Sequence, residues 1–201
     1  SKLSDVIIKE RSNSLNLGNS GNLPLFLDCS LDSVYIGGKI TYNKSEEYGY
    51  SPFHNNTSLR TVVIADGEEQ IYEREFAGCS NLQNITIGDG VLAIGAYAFS
   101  ACTSLPAISI PQSTGSVGDY AFSQCENLSD VIIKNRTNTI TLGHNGKSPL
   151  FVDCPLDSVY IGGKISYSRL GDEGYSPFYR NTTLRTILIT DKEEQVYENE
   201  F

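Results

Sequence analysis

Residues 94–110 read Ile94-Gly95-Ala96-Tyr97-Ala98-Phe99-Ser100-Ala101-Cys102-Thr103-Ser104-Leu105-Pro106-Ala107-Ile108-Ser109-Ile110. The same punctuation of Phe, Cys, Leu and two β-branched residues recurs along the whole chain. The eight Phe are Phe26, Phe53, Phe76, Phe99, Phe122, Phe151, Phe178 and Phe201, separated by 27, 23, 23, 23, 29, 27 and 23 residues. A fixed period in this range is the signature of a stacked repeat. Cys29, Cys79, Cys102, Cys125 and Cys154 are the five Cys, and each stands three residues after one of those Phe. Asn56 and Asn181 take the same place after Phe53 and Phe178. The motif is F-x-x-[CN].

Each motif leads into L-x-x-[VI]-x-I, as in Leu31/Val34/Ile36, Leu82/Ile85/Ile87 and Leu156/Val159/Ile161. Alternation of β-branched residues with period two predicts a short strand with one buried face. Residues such as 93–99 then turn the chain and bring the next Phe inward. A larger duplication overlies the short repeat: residues 3–76 align without a gap to 128–201, at an offset of 125. The linking stretch, 77–127, consists of 23-residue repeats, whereas the outer repeats carry about five further residues. No linker or shift of composition divides residues 1–201, so one solenoid domain of about eight coils is expected. No polar capping unit is visible at either end, and no charged-then-apolar leader precedes Ser1.

Composition excludes several functions. A net charge of −9 and a pI near 4.7 argue against a phosphate-binding surface, so no nucleic-acid partner is expected. Mean hydropathy is −0.22 and no apolar run is long enough to span a bilayer. The cysteine count is odd and locked to the repeat, without a C-x-x-C pair, which predicts five buried structural thiols rather than bridges or metal ligands. His54 and His144 are Tyr179 and Asn19 in the other copy, so both are read as exposed loop residues without a metal. The pairs Glu46-Glu47, Glu68-Glu69 and Glu193-Glu194 are read as solvated edges rather than catalytic carboxylates. No catalytic residue, cofactor or metal site is expected.

Two surfaces are left as candidates for binding. One is the outward middle position of each strand: Ile7, Tyr35, Val63, Thr86, Ser109, Ile132, Tyr160 and Leu188. Of these, Ile7, Tyr35, Val63, Ile132, Tyr160 and Leu188 are apolar enough to form an interaction face; the alternative is plain β-propensity on a sheet surface. The other is the insertion of the long repeats, where Tyr50 and Tyr175 lie in two copies of G-Y-S-P-F, either binding a partner or packing over the longer coil.

The segment from Ile94 to Leu105, followed by Ile108-Ser109-Ile110-Pro111, resembles the BspA-like, or Treponema-type, leucine-rich repeat family. The resemblance runs over essentially the whole chain; the 28-residue repeats depart from the plain family pattern by their extra residues. It implies an α/β fold, a right-handed solenoid of short parallel strands with turns and short helical segments. It also implies an extracellular or cell-surface protein, adhesin-like and non-enzymatic, whose macromolecular partner is a host or microbial surface protein or a glycan. A monomer is expected. A structural spacer is the alternative, and an appendage of a glycan-active enzyme a further one.

Overall fold

The computed structural model describes residues 3–18, 24–26, 29–42, 51–144, 149–168 and 176–190. The [VI]-x-I segments form eight four-residue strands: β1 (Asp5–Ile8), β3 (Ser33–Ile36), β5 (Thr61–Ile64), β7 (Asn84–Ile87), β9 (Ala107–Ile110), β11 (Asp130–Ile133), β13 (Ser158–Ile161) and β15 (Thr186–Ile189). Between them lie shorter strands on a second wall: β2 (Leu15–Asn16), β4 (Ile40–Thr41), β6 (Gln70–Ile71), β8 (Ala93–Ile94), β10 (Ser116–Val117), β12 (Ile140–Leu142) and β14 (Ile165–Ser166). Every pairing is parallel and joins neighbouring coils in repeat register, for example Val34 opposite Val62 and Val131 opposite Val159. Alternation does what the pattern requires: Val34, Ile36, Val62 and Ile64 are buried, while Tyr35 and Val63 between them are only half-buried.

A third wall is built from the Phe turns. Phe26, Phe53, Phe76, Phe99, Phe122, Phe151 and Phe178 stack ring on ring at 5.3–5.5 Å. Interplanar angles of 5–17° place them in the parallel-stacked geometry aromatic pairs favour. The backbone reaches from coil to coil here too, with Phe76 N donating to Ala98 O (2.9 Å) and Phe99 N to Ala121 O (2.8 Å). Aiming the amides along the solenoid axis costs backbone conformation. Arg74, Tyr97 and Tyr120, two residues before a Phe, and Asn55, Ala101, Gln124, Asp153 and Arg180, two residues after, all have φ between 54° and 62°. Gly95 and Gly118, in the [IV]-G-x-Y-A-F turns, let the coils approach: a Cβ on either would lie 2.4 Å from a backbone nitrogen of the preceding coil.

The [CN] position closes this wall. Sγ of Cys79, Cys102, Cys125 and Cys154 donates to the carbonyl of Phe53, Phe76, Phe99 and Phe122 at 3.0–3.3 Å. Asn56 uses its amide for the same purpose, donating to Phe26 O (3.0 Å) and Cys29 O (2.9 Å), and Asn181 donates to Cys154 O (2.8 Å). Both residue types offer a short side chain with a donor, which adds a second bond to carbonyls such as those of Phe26, Phe53, Phe76 and Phe99 that already accept from the amide three residues on.

Among the described residues the long-strand wall is interrupted in one place. β1, β3, β5 and β7 form one sheet and β9, β11, β13 and β15 another. At the junction between β5 and β7, Gln83 N bonds Arg60 O (3.0 Å) and Gly88 N bonds Ile64 O (2.7 Å), one on each side of the strand. The equivalent positions around β9 are Pro106 and Pro111, which have no N–H to give. The second wall runs unbroken through the same coils, Ile71 pairing with Ile94 and Ser116 with Ala93. Arg136 adds a clamp across the next junction, its buried guanidinium donating to Pro111 O (2.8 Å) and Thr114 O (2.5 Å).

Several sequence expectations are corrected. No described residue is helical; the segments expected to contain short helices are turns, because a 23-residue coil already spends its length on three walls. Eight strands do not make eight coils: about six turns are closed among the described residues. Glu68 is not a solvated edge. It is buried, and its carboxylate accepts from the amides of Ile40 (2.8 Å), Glu69 (2.9 Å) and Gln70 (3.2 Å). His54 is half-buried rather than exposed, and burial holds its imidazole below the usual range. Cys29 is only half-buried, while the other four cysteines are buried.

Candidate functional site: the outward row of the strand wall

On the strand wall the inward positions hold Val or Ile on every rung, and the outward ones vary. Pairing register aligns Ile7 with Tyr35, Tyr35 with Val63 and Val63 with Thr86 on one sheet. On the other it aligns Ser109 with Ile132, Ile132 with Tyr160 and Tyr160 with Leu188. The expected row therefore exists, split at its middle by the proline seam. Ile132, flanked by strands on both sides, is 45% exposed, which is high for an aliphatic side chain; Ile7 and Leu188, at 68% and 57%, lie on the first and last described strands, where the inward Ile187 is itself 37% exposed. Tyr35, Val63 and Tyr160 are half-buried.

The tyrosines do not stand upright. Gly37, two residues after Tyr35, sits so close to the Tyr35 ring that a Cβ there would lie 2.8 Å from Cε1. The ring thus lies along the strand over the glycine. In the second copy the Tyr160 hydroxyl reaches back to donate to Asn135 Oδ1 (2.6 Å). Each aromatic thereby offers a broad, flat contact with little freedom left to lose on binding.

Fixed charge flanks the row. Asp5 accepts from the Ser33 hydroxyl (2.5 Å) and from Ser4 (2.6 Å), and these bonds hold its carboxyl below the usual range. Asp130 repeats the arrangement with Ser129 (2.5 Å) and Ser158 (2.5 Å), with the same direction of shift. One column further out, Arg60 pairs with Asp32 and Arg185 with Asp157, both at 3.5 Å and both exposed. The strip is an apolar stripe with ionised carboxylates beside it.

The second expected surface is not brought into view: Tyr50 and Tyr175 lie outside the described residues. The S-P-F end of each insertion, residues 51–53 and 176–178, is scaffold. Ser51 and Ser176 Oγ accept from Phe53 N and Phe178 N, each at 3.1 Å, which fixes that end of both insertions in one conformation. A feature the sequence reading passed over is a stack of Tyr97 on Tyr120 (5.1 Å), with the Arg74 guanidinium 4.7 Å from the centre of the Tyr97 ring. The 23-residue spacing of these tyrosines was the available signal. Beside the Phe wall a groove of about 500 Å³ is lined by Glu126, Phe151, Asp153, Tyr179 and Arg180 among others. Among the described residues, no three His, Cys, Asp or Glu converge as metal ligands would, and no helix is long and apolar enough to cross a membrane.

Comparison with known proteins agrees with this architecture. A family model described as the BspA type leucine rich repeat region matches residues 46–173 in six copies. A leucine-rich repeat protein of Bacteroides ovatus has 23% identity and a TM-score of 0.58 over 83% of this chain and 42% of its own. The leucine-rich repeat protein of Treponema pallidum gives 20% identity and 0.56 over 87% of this chain and 74% of its own. A leucine-rich cell surface protein of Faecalibacterium prausnitzii gives 25% identity and 0.66 over 96% of this chain and 49% of its own. The chain thus spans less than half the length of two of these three solved structures. Comparison with curated proteins gives no match. With the repeat model matched over more than half its length, and with the Phe, Cys and Leu ladders stacked in register, the chain belongs to the BspA-type leucine-rich repeat family.

Proposed function

We propose that the chain is a non-enzymatic docking module of the bacterial cell exterior, adhesin-like, which holds a macromolecular partner against the outward row of its strand wall. One observation carries this reading: aliphatic and aromatic side chains stand in register on a solvent-facing sheet, with Ile132 45% exposed although strands flank it on both sides. A long, shallow strip suits a macromolecule better than a small substrate, which is bound in a cleft. The description of the Faecalibacterium relative as a cell surface protein supports the location. Ionised Asp5 and Asp130 beside the stripe favour partners without excess negative charge.

The test is a binding screen of the chain against extracellular-matrix proteins and a glycan array, beside a Tyr35→Ala/Tyr160→Ala variant. Binding that the variant loses places the partner on the row. Binding that survives moves it to the insertions bearing Tyr50 and Tyr175. Absence of binding across the panel favours a spacer instead.

A further inference from the structure

Seven joints connect the eight long strands, and six of them are closed by the same two bonds. On the entry side of the strand an amide donates to the coil before it, as Gln83 N does to Arg60 O (3.0 Å) and Asp157 N to Ser129 O (2.8 Å). On the exit side the amide after the last Ile does the same, as Gly88 N to Ile64 O (2.7 Å) and Gly162 N to Ile133 O (2.8 Å). The seventh joint, β7 to β9, has proline at both places, Pro106 and Pro111, and makes neither bond. No other long strand carries proline at either of these positions.

Burial shows independently that this joint is loose. Between the two terminal strands, every inward Val or Ile is buried except Ile85, on β7. Asn84 and Thr86 beside it are exposed, which gives β7 the same burial pattern as the terminal strand β1. A strand in the middle of the wall thus has the solvent contact of an edge. Its neighbour across the seam is held firmly on the other side: Pro106 O accepts from Ser129 N (3.0 Å), Pro111 O from the Arg136 guanidinium (2.8 Å), and all four residues of β9 pair with β11.

The same two coils are closed on their other walls. Ser116 pairs with Ala93 and Val117 with Ile94, and Gly118 N donates to Ile94 O (2.8 Å). At the Phe turns Tyr97 N donates to Asp119 O (3.0 Å), Phe99 N to Ala121 O (2.8 Å) and Ala101 N to Ser123 O (2.8 Å). We infer that the joint between β7 and β9 is a hinge: two rigid halves of the solenoid turn about the bonded second and Phe walls, opening and closing on the strand wall, where Pro106 and Pro111 remove the bonds that lock every other joint.

The hinge divides the outward row between Thr86 and Ser109. Ile7, Tyr35 and Val63 lie on one half, and Ile132, Tyr160 and Leu188 on the other. Opening the joint makes the row convex; closing it flattens the row. The motion is a bend rather than a separation, because Leu82, Ile87, Leu105 and Ile110 stay buried on the two sides of the seam and hold the core together. The hinge follows from the joint itself and stands whether or not the row binds a partner.

Pulsed electron resonance between two spin labels measures the hinge in the chain without any partner. A Cys29→Ser background removes the half-buried native thiol. Labels at Tyr35→Cys/Tyr160→Cys span the seam on the strand wall, five rungs or about 24 Å apart. Labels at Gln70→Cys/Ser166→Cys cross the same joint on the second wall, four rungs or about 19 Å apart. The expected result is a distance distribution about twice as wide on the strand wall as on the second wall. In Pro106→Ala/Pro111→Ala, which returns both amides to the joint, the strand-wall distribution should narrow to match the other. Equal widths on the two walls of the parent chain overturn the hinge, and this comparison needs no proline variant to fold. A broad strand-wall distribution that the proline substitutions leave unchanged overturns the assignment of the motion to Pro106 and Pro111.

Discussion

The Phe wall and the strand wall are made by the same coils, yet they treat repetition differently. On the Phe wall each rung repeats the last: a ring stacked on a ring at 5.3–5.5 Å and a short donor closing the carbonyl of the preceding Phe. On the strand wall the inward Val and Ile are equally monotonous, but the outward residue changes from Ile to Tyr to Val to Thr to Ser. Monotony is what stacking demands, because a residue that packs against its own equivalent must suit both neighbours. Departure from monotony on a surface that stacking leaves free is where a second requirement can enter. The two walls also differ in continuity, since Pro106 and Pro111 break the strand ladder without disturbing the Phe stack.

The largest effect expected is on the Phe wall. Phe99→Ala removes a fully buried ring from the middle of the stack and should cost about 3–5 kcal/mol in urea unfolding; a loss under about 1 kcal/mol would break the comparison. Asn56→Ala takes the side-chain donor from Cys29 O and the second of two donors from Phe26 O and should cost about 2 kcal/mol, whereas Cys102→Ala, which takes only a weaker thiol bond from Phe76 O and leaves it the amide of Cys79, should cost about 1 kcal/mol. Equal losses would mean that the [CN] position fills space rather than satisfying carbonyls.

A pH series tests the same ladder. Burial pushes the Cys79 thiol from 9.0 up to about 12, and Cys102 is raised too, so the folded chain keeps protons that the unfolded chain releases. Stability is then fully present below pH 9 and falls as pH rises from 9 towards about 12. A flat profile over that window would contradict the enclosure of these thiols. Maleimide at neutral pH should label Cys29 on the native chain and the other four only after unfolding.

On the strand wall, Tyr35→Ala and Tyr160→Ala should each cost under about 1 kcal/mol, because both rings are part-exposed and rest on the sheet rather than in the core. The smallest effect is at the seam. Pro106→Ala returns an N–H beside Gln83 O and should change stability by no more than about 0.5 kcal/mol. Hydrogen exchange should then show a protected amide at residue 106; an unprotected one would mean that the missing donor is not what separates β7 from β9.

The long axis of the fold was legible because each coil repeats: Phe99, Cys102, Leu105, Ile108 and Ile110 are all buried, as their spacing required. The expected helical segments were not, because family likeness, rather than any 3.6-residue pattern in 93–99, suggested them. Glu68 was misread because adjacent acids look solvated in sequence, and only the amides of Ile40, Glu69 and Gln70 reveal its use. Alternation turns Ile7 and Ile132 outward from their buried neighbours, since period two is a property of the strand itself; on β15, the last described strand, burial does not alternate. It could not foresee the seam, which needs β7 and β9 aligned before the two prolines are seen to face carbonyls, nor the tyrosines lying flat, which depends on Gly37.

The separation of the two walls is tested most directly by melting and binding the Tyr35→Ala/Tyr160→Ala chain beside the unsubstituted one and Phe99→Ala. The expected result is a Tm within about 4 °C of the unsubstituted chain, together with loss of partner binding by at least about tenfold. A Tm that falls as far as that of Phe99→Ala, or binding left untouched, would contradict the assignment of packing to one wall and recognition to the other.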